Sequence, residues 1–199
     1  MKKHLLLSVL LASMMATPAY ADPYISGSVG VGFPADSDVT FSNGVVDKGG
    51  QTLKVGVPFS GAIGIKNDAY RVEAAIGYQT HKVDTWLHAP DTQNDSVSLF
   101  TYMVNGYYDV DIKDSSITPY VTAGLGGASI NAKNEGYADH STTVFAWQVG
   151  AGIGLKASSN LTVDLGYRYL KPSSSFSDSF GTYTFSSSNL LAGIRYEFN

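Results

Sequence analysis

Strict alternation of apolar residues with small or polar ones is the feature that most constrains this chain. In residues 70–78 the even positions are Tyr, Val, Ala, Ile and Tyr, whereas the odd positions are Arg, Glu, Ala and Gly. In residues 145–155 one face carries Phe, Trp, Val, Ala, Ile and Leu, and the other carries Ala, Gln and Gly. Because successive side chains of a strand point to opposite faces, each segment predicts a β-strand with one apolar wall.

Segments of this kind predict an all-β domain of eight strands. They cover approximately residues 23–33, 57–66, 69–79, 97–109, 117–129, 143–156, 160–171 and 187–198. Ten residues tilted by about 40° rise about 25 Å, which is the height of the lipid-facing band of an outer-membrane barrel. Helical periodicity is nearly absent after residue 21, and no apolar run there is long enough for a transmembrane helix.

The connections between these segments alternate in length. Short turns are expected around residues 66–68 and 158–160, a somewhat longer connection around 113–116, and long polar connections at 34–56, 80–96, 130–142 and 172–186. This parity is expected of an outer-membrane barrel, which has short turns on one side of the membrane and long loops on the other. A soluble β-sandwich has no reason to keep it.

The first 21 residues have the pattern of a cleaved signal peptide. Lys2 and Lys3 precede a short apolar stretch, and Ala19 and Ala21 supply the small residues of a cleavage site. A membrane-anchoring helix is the alternative, but the stretch is too short to span a bilayer. We therefore expect an exported protein with a signal peptide at residues 1–21 and one domain at residues 22–199.

Composition excludes several classes of function. The chain contains no cysteine, so thiolate zinc sites and disulfides are excluded. Thirteen scattered Lys and Arg residues against seventeen Asp and Glu residues make nucleic acid an unsuitable partner. With 15% charged and 44% hydrophobic residues, the chain is not a disordered one. No cofactor is expected.

The polar walls of the strands carry mixed charges in mid-strand. If the apolar walls face lipid, these side chains line a narrow, ion-paired interior, and they are Arg71, Glu73, Gln148, Asp164, Arg168, Arg195 and Glu197. The alternative is a soluble sandwich or lipocalin-like barrel in which they form the solvated face. Aromatic residues near strand ends favour lipid contact, as in aromatic girdles: Tyr24, Phe33, Tyr70, Tyr78, Tyr108, Phe145, Tyr167, Tyr169, Tyr196 and Phe198.

The leader, the eight strands and the ending Gly-Ile-Arg-Tyr-Glu-Phe at 193–198 together resemble the small eight-stranded barrels of the Gram-negative outer membrane. These are the outer membrane protein A-like and the opacity or surface-antigen barrel domains. The resemblance implies an antiparallel up-and-down transmembrane barrel that contacts outer-membrane lipid and lipopolysaccharide. It also implies that the barrel assembly machinery recognises Gly193, Tyr196 and Phe198. Contact of the long loops with a host or surface ligand is one expectation for them, and loops that are merely solvated are the alternative.

An eight-stranded barrel has an interior just wide enough to be filled by side chains. We therefore expect a structural and surface-display protein (envelope integrity, adhesion or surface antigen) whose interior is plugged by polar side chains. A narrow porin-like channel and a soluble periplasmic barrel are the alternatives.

The sequence offers few candidates for catalytic or metal-binding residues. Candidate catalytic groups are His81 with Asp84, and the run Asp139-His140-Ser141. Neighbours on an extended segment point in different directions and rarely form a triad. A metal site of His81, His88 and His140 would need two loops to converge. No enzymatic activity and no metal are expected.

Overall fold

The computed structural model describes residues 21–35, 37–41, 45–86, 89–90, 95–133, 140–173, 176–177, 181–183 and 185–198. Its strands are numbered β1 to β13 in chain order. Eight of them form the barrel: β1 Asp22–Pro34, β4 Phe59–Asn67, β5 Tyr70–Trp86, β7 Ser96–Asp109, β8 Ile117–Lys133, β9 His140–Lys156, β10 Leu161–Pro172 and β13 Ser187–Glu197. The expected all-β fold with eight barrel strands is confirmed.

The barrel is closed and antiparallel throughout. Each barrel strand pairs with its neighbours along the chain, and β1 pairs with both β4 and β13, so the first and last strands join. Tyr24 of β1 lies opposite Glu197 of β13, and Pro34 lies opposite Ser187. The barrel sheet therefore has no free edge strand. A β-sheet in lipid requires this, because every backbone N–H and C=O group there must be hydrogen-bonded within the protein.

Short turns lie at one end of the barrel, which we call the inner end. Asp68 and Asp114 occupy positive φ angles of 50° and 60° in the turns that follow β4 and β7. Aspartate tolerates this left-handed region better than most residues do. The inner end also holds the first residue of β1 and the last residue of β13. The expected parity of lengths holds only in part, because seven residues join β7 to β8 at the inner end and six join β8 to β9 at the outer end.

At the opposite, outer end, the strands continue beyond their expected limits. β5 reaches Trp86, β8 reaches Lys133 and β9 begins at His140, although the sequence predicts connections at 80–96 and 130–142. The apolar alternation stops near these points, whereas backbone pairing continues with polar side chains. Strands that pair outside the membrane do not need an apolar face, so the sequence pattern underestimates the length of these strands.

Five short strands add an extension sheet above the outer end. They are β2 Ser37–Phe41, β3 Val46–Leu53, β6 Ala89–Pro90, β11 Phe176–Ser177 and β12 Gly181–Tyr183. β3 pairs with β5, β2 pairs with β3 and β12, and β6 pairs with β5. The sequence predicts none of these strands, because their segments are rich in Gly, Ser and Asp.

Residues 54–58 link this extension sheet to the barrel. Gly56 exchanges two backbone hydrogen bonds of 2.9 Å with Gly32, and the amide of Lys54 donates to the carbonyl oxygen of Lys82 at 2.7 Å. A Cβ atom at Gly56 would lie 2.7 Å from Nδ1 of His81 and closer still to a backbone oxygen. Only glycine fits this approach, so the linker is held between β1 and β5.

Candidate functional site

The outer wall of the barrel exposes its large apolar side chains, while the charged ones are buried. On β5, Tyr70 and Ile76 are 65% and 58% exposed, whereas Arg71 and Glu73 are 3% and 4% exposed. The same inversion holds around the barrel, with Val29, Ile63, Leu125, Val149 and Ile194 all exposed. A soluble protein rarely exposes so large an apolar surface. The outer wall is therefore suited to contact with lipid, and a soluble sandwich or soluble barrel does not account for it.

Aromatic pairs on the outer wall mark the two edges of this apolar band. Near the inner end, the ring centroids of Tyr70 and Tyr108 are 5.4 Å apart. Near the outer end, those of Phe59 and Tyr78 are 5.5 Å apart. The nine residues from Tyr70 to Tyr78 rise roughly 20–25 Å, which matches the lipid-facing band of outer-membrane barrels. Among the described residues, no helix is long and apolar enough to cross a membrane.

The placement of Tyr24 corrects one expectation. Its position near a strand end predicts that it belongs to the outward aromatic set, but its side chain is inside the barrel and 1% exposed. Its hydroxyl donates to Oε2 of Glu73 at 3.1 Å. The alternation in β1 agrees with this direction, because the apolar wall is formed by the odd positions Ile25, Val29, Val31 and Phe33, and Tyr24 shares the even positions with Ser and Gly. Its place near the strand end was therefore a poorer guide than its parity.

Glu73 is at the centre of one polar cluster in the inner half of the interior. Besides the Tyr24 hydroxyl, its carboxylate accepts hydrogen bonds from Asn105 Nδ2 at 3.0 Å and from the Tyr107 hydroxyl at 2.6 Å. Asn105 in turn accepts a hydrogen bond from Nε2 of Gln148. Neutral donors thus surround a buried carboxylate, which compensates for its lost hydration.

Arg71 forms the best-defined ion pair of the interior. Its Nε lies 3.0 Å from both carboxylate oxygens of Asp109, and its Nη2 donates to Oδ1 at 2.8 Å. The guanidinium also lies 4.2 Å from the centre of the Tyr107 ring. Planar, bidentate pairing of this kind suits arginine and fixes the relative position of β5 and β7.

A second ion-paired group joins the first across β4. Arg195 donates to Asp164 at 3.2 Å and to Glu197. Nζ of Lys66 lies 4.0 Å from Asp109 and 3.8 Å from Glu197. Lys66 therefore connects the two groups into one network at the inner end.

The structure places all seven predicted charge-network residues in the interior. Arg71, Glu73, Gln148 and Arg195 are buried, and Asp164, Arg168 and Glu197 are half-buried. Sequence reasoning missed Tyr24, Lys66, Asn105, Tyr107 and Asp109. Three of these, Asn105, Tyr107 and Asp109, share one parity of the predicted strand 97–109, which was the available signal.

The remaining predicted residues lie near the two chain ends. Tyr196 and Phe198 face outward with ring centroids 5.1 Å apart, and Gly193 packs against β1 inside the barrel. Their role in assembly stays a prediction. Ala21 is the first described residue and Ala19 lies outside the described residues, so cleavage after Ala21 stays a prediction too.

The outer half of the interior holds a buried apolar cluster beside the buried polar side chains of Gln79, His81, Ser187 and Asn189, which differs from the expectation of a wholly polar interior. Its buried cluster consists of Val97, Leu99, Met103, Ala128, Ile130, Ala146, Leu170 and Phe185. In β7 both parities are apolar in this stretch, so the sequence shows no alternation there. Only the register shows that Leu99 faces inward and Phe100 outward.

The described residues enclose two small cavities within the interior. One of about 50 Å³ lies in the charged half between Arg71, Tyr120 and Arg195. The other, of about 40 Å³, lies between the charged half and the apolar cluster and is bounded by Arg168 and Leu170. A water molecule needs about 10–15 Å³ measured in this way, so each cavity holds a few waters at most.

His81 and Asp84 do not form a catalytic pair. The His81 ring is 1% exposed and inside the barrel, with Nδ1 3.0 Å from the carbonyl oxygen of Lys54. Asp84 is on the opposite face of β5, 3.4 Å from Nζ of Lys54. His81 lies beyond the outer aromatic pair, and burial lowers the pKa of its imidazole below the ordinary value.

The other catalytic and metal candidates lie at the edge of what is described. The side chains of His88, Asp139 and His140 lie outside the described part of the chain, and Ser141 is exposed. Within the described residues, no group of three His, Asp or Glu side chains could hold a metal ion.

Comparisons with known proteins agree with this geometry. The model of the family described as "Outer membrane protein beta-barrel domain" matches residues 5–198. Outer membrane protein PagN of Salmonella typhimurium is 39% identical over 85 residues, which is 37% of this chain and 34% of PagN. The chain thus aligns with about a third of this curated relative's length.

Two solved structures share the fold. Neisserial surface protein A has a TM-score of 0.60 at 20% identity, covering 89% of this chain and 99% of that one. Ail, the attachment invasion locus protein of Yersinia pestis, has a TM-score of 0.51 at 14% identity, with the same coverage.

Proposed function

From the premise that this chain belongs to the family of outer membrane protein β-barrel domains and lies in the Gram-negative outer membrane, we propose that it is a surface-display protein. In this role the barrel anchors the outer extension sheet, which presents an adhesive or antigenic surface. The same barrel supports the envelope structurally. Its contacts with lipopolysaccharide, and its recognition by the barrel assembly machinery through Gly193, Tyr196 and Phe198, belong to the same proposal.

This proposal rests mainly on the strand pairing that continues beyond the outer aromatic pair, between β3 and the extension of β5. β5 continues for eight residues beyond Tyr78, and β3 pairs with this continuation through Gln51, Thr52 and Leu53. The hydroxyls of Thr52 and Thr85 are 2.6 Å apart in that pairing. An ordered sheet outside the lipid band has no part in spanning the membrane, so a role in contacting other molecules accounts for it best.

Two names among the similar proteins support the adhesive part of the proposal. Ail is called an attachment invasion protein, and Neisserial surface protein A is a surface protein. Both likenesses are of fold, so the ligand of this chain has to be found by experiment.

The test is attachment of bacteria to host cells. A strain expressing the protein, a strain lacking it, and a strain with residues 37–53 replaced by a short Gly-Ser linker are compared. We expect attachment to fall to the level of the deletion strain when the linker replaces the β2–β3 hairpin. A control with Lys113→Ser, in an inner-end turn, should attach normally. Heat-modifiable migration in gels checks that each barrel is folded. Equal attachment of all four strains would reject an adhesive role.

A narrow channel is the second candidate, and the polar inner half of the interior is the observation that favours it. The apolar outer cluster and the small cavities favour a closed interior instead. Conductance of the purified protein in planar bilayers separates the two. A reproducible unitary current would support the channel, and its absence would support the display role.

A further inference from the structure

The outer wall of β5, β7, β8 and β9 carries an uncharged polar surface just beyond the outer aromatic pair. Each of its side chains ends in a hydroxyl or an amide, and each is exposed or half-buried on the outward-facing parity of its strand. We call this surface the hydroxyl face, and its residues are Thr80, Ser98, Ser129, Asn131, Ser141 and Thr143.

The register between the strands makes these residues neighbours in two rows. The row farther from the lipid band is Thr80, Ser98, Asn131 and Ser141. The row nearer to it is Tyr78, Phe100, Ser129 and Thr143. Three spacings of about 4.8 Å between strands make the face about 14 Å wide, which is enough for two sugar rings side by side.

Hydrogen bonds along the face hold its hydroxyls in fixed positions. The Tyr78 hydroxyl donates to Oγ of Ser98 at 3.2 Å, and Oγ of Ser98 donates to Oγ1 of Thr80 at 3.1 Å. The side-chain oxygens of Ser129 and Thr143 are 2.8 Å apart. A hydroxyl has one donor and two acceptor positions, so these groups keep capacity for hydroxyls of a ligand. Because they are already ordered, less side-chain entropy is lost on binding.

A positive charge lies beyond the hydroxyl face. Lys82 is exposed on β5, two residues farther from the lipid band than Thr80. The carboxylate of Asp84 is compensated by Lys54, whose Nζ lies 3.4 Å away. Among the side chains described on this face, Lys82 therefore supplies the net charge. The four residues from Tyr78 to Lys82 rise about 10 Å at a tilt of about 40°.

The inner edge of the lipid band differs from this outer edge. At the inner aromatic pair, β5 begins at Tyr70 and β7 ends one residue after Tyr108. These strands therefore do not continue as a sheet face beyond the lipid band at that end. The two edges suit different headgroups, and only the outer one offers two uncharged rows below a cation.

We propose that the hydroxyl face and Lys82 bind the phosphorylated sugar headgroup of lipopolysaccharide, the glycolipid of the outer leaflet, while its acyl chains lie on the apolar wall below. Sugar hydroxyls pair with the face, and a phosphate reaches Lys82. A phospholipid has its phosphate beside the ends of its acyl chains, so it does not span the two uncharged rows. This inference rests on the lipopolysaccharide contact of the proposed function and is independent of the adhesive role.

The first experiment titrates the refolded protein, in a zwitterionic detergent, with fluorescently labelled lipopolysaccharide. A combined variant removes four hydroxyls with little change of shape through Thr80→Val, Ser98→Ala, Ser129→Ala and Thr143→Val. Its affinity should fall about tenfold, because several modest hydrogen bonds are lost together. The matched control is Tyr167→Phe with Ser188→Ala, which removes a hydroxyl pair 2.9 Å apart on the wall of β10 and β13 and should bind as the wild type does.

The role of the cation is tested by Lys82→Met. Its affinity should fall about fivefold and lose part of its dependence on salt, because the phosphate loses its counter-charge. Lys171→Met removes an exposed cation on β10 and is the control, with affinity unchanged. Dephosphorylated lipopolysaccharide should bind the wild type and Lys82→Met equally.

Phosphatidylglycerol is the second probe, and the combined variant should bind it as the wild type does. Equal affinity of the wild type and the combined variant for lipopolysaccharide would overturn the proposal and leave a face that only water contacts. An equal loss with phosphatidylglycerol would overturn it too, because the sugar would then not be recognised. Heat-modifiable migration in gels checks folding, and Ser98→Ala alone carries the test if the combined variant does not fold. Attachment after replacement of residues 37–53 is a separate measurement, so either proposal can fail without the other.

Discussion

The inner and outer halves of the barrel interior are both filled by side chains, but by side chains of different chemistry. The inner half is filled by ion pairs and hydrogen bonds around Arg71, Glu73 and Arg195, whereas the outer half is filled mainly by an apolar cluster around Leu99, beside uncharged polar side chains. The cavities lined by described residues within these fillings are small. The difference teaches that the interior of a membrane barrel must be filled by side chains, but that these need not all be polar.

The two halves differ in what holds them in place. Bidentate pairing of Arg71 with Asp109 fixes direction as well as distance, so the inner half favours one strand register over a slipped one. The apolar half gains from burial and close packing, which are less directional. Removal of one side chain should therefore have different consequences in the two halves.

The largest effect is expected for Arg71→Met. Removing the guanidinium leaves Asp109 buried without its main partner, and breaking such a pair costs about 3–5 kcal/mol. The free energy of unfolding in urea, measured in lipid vesicles, checks this value. Lys54→Met is the matched control, because its pair with Asp84 is exposed and should contribute about 0–1 kcal/mol. Similar losses in both variants would show that the inner network is solvated.

Leu99→Ala tests the apolar half. Leu99 is fully buried within the cluster, and a Leu-to-Ala change in such a core costs about 2–5 kcal/mol through lost burial and the cavity left behind. The same urea titration measures it. Leu125→Ala, on the outward wall, is the control and should cost less, because lipid fills the vacated space. A larger loss at Leu125 would mean that the cluster is not the packed core of the outer half.

Tyr24→Phe tests a single hydrogen bond of the inner half. It removes the hydroxyl that donates to Glu73 and keeps the ring, so the expected loss is about 1.5–3 kcal/mol, as for hydrogen bonds to charged groups. Tyr196→Phe removes an outward hydroxyl of β13 and should change the free energy of unfolding by less than about 0.5 kcal/mol. Equal values would place Tyr24 outside the network.

The smallest effect is a pH dependence from His81 in the outer half. Burial lowers its pKa, so the folded protein holds it neutral while the unfolded chain binds the proton below about pH 6.5. Its contribution to stability is therefore complete above that pH. Below it, stability falls by at most about 1.4 kcal/mol per pH unit.

The measurement compares unfolding of the wild type with His81→Phe between pH 7.5 and 5.5. The variant keeps an aromatic ring against Phe185 and should lose this part of the pH dependence. If both proteins respond equally to pH, the titrating group lies elsewhere.

Much of the architecture was predictable from local patterns. The alternation in residues 70–78 and 145–155, together with the lengths of the connections, was enough for the number of strands, their order and the outward direction of the apolar wall. These features depend on a two-residue period and on turn length, both of which are local. The inward direction of Arg71 and Glu73 follows from the same period.

The partners of those side chains were not predictable in the same way. Glu73 meets Tyr24 across 49 positions of the chain, and Arg71 meets Asp109 across 38. Such contacts depend on the register between strands and on closure of the barrel.

The sequence by itself determined a sheet of eight strands with apolar side chains outside and polar side chains inside, because each strand carries its own two-residue alternation. Tertiary structure alone decided the pairing of Tyr24 with Glu73, the apolar cluster around Leu99 and the extension sheet. The physical reason is that the alternation of residues along a strand determines which side chains share a face. Only the register between strands in the closed barrel determines which of these side chains lie at the same height and contact each other.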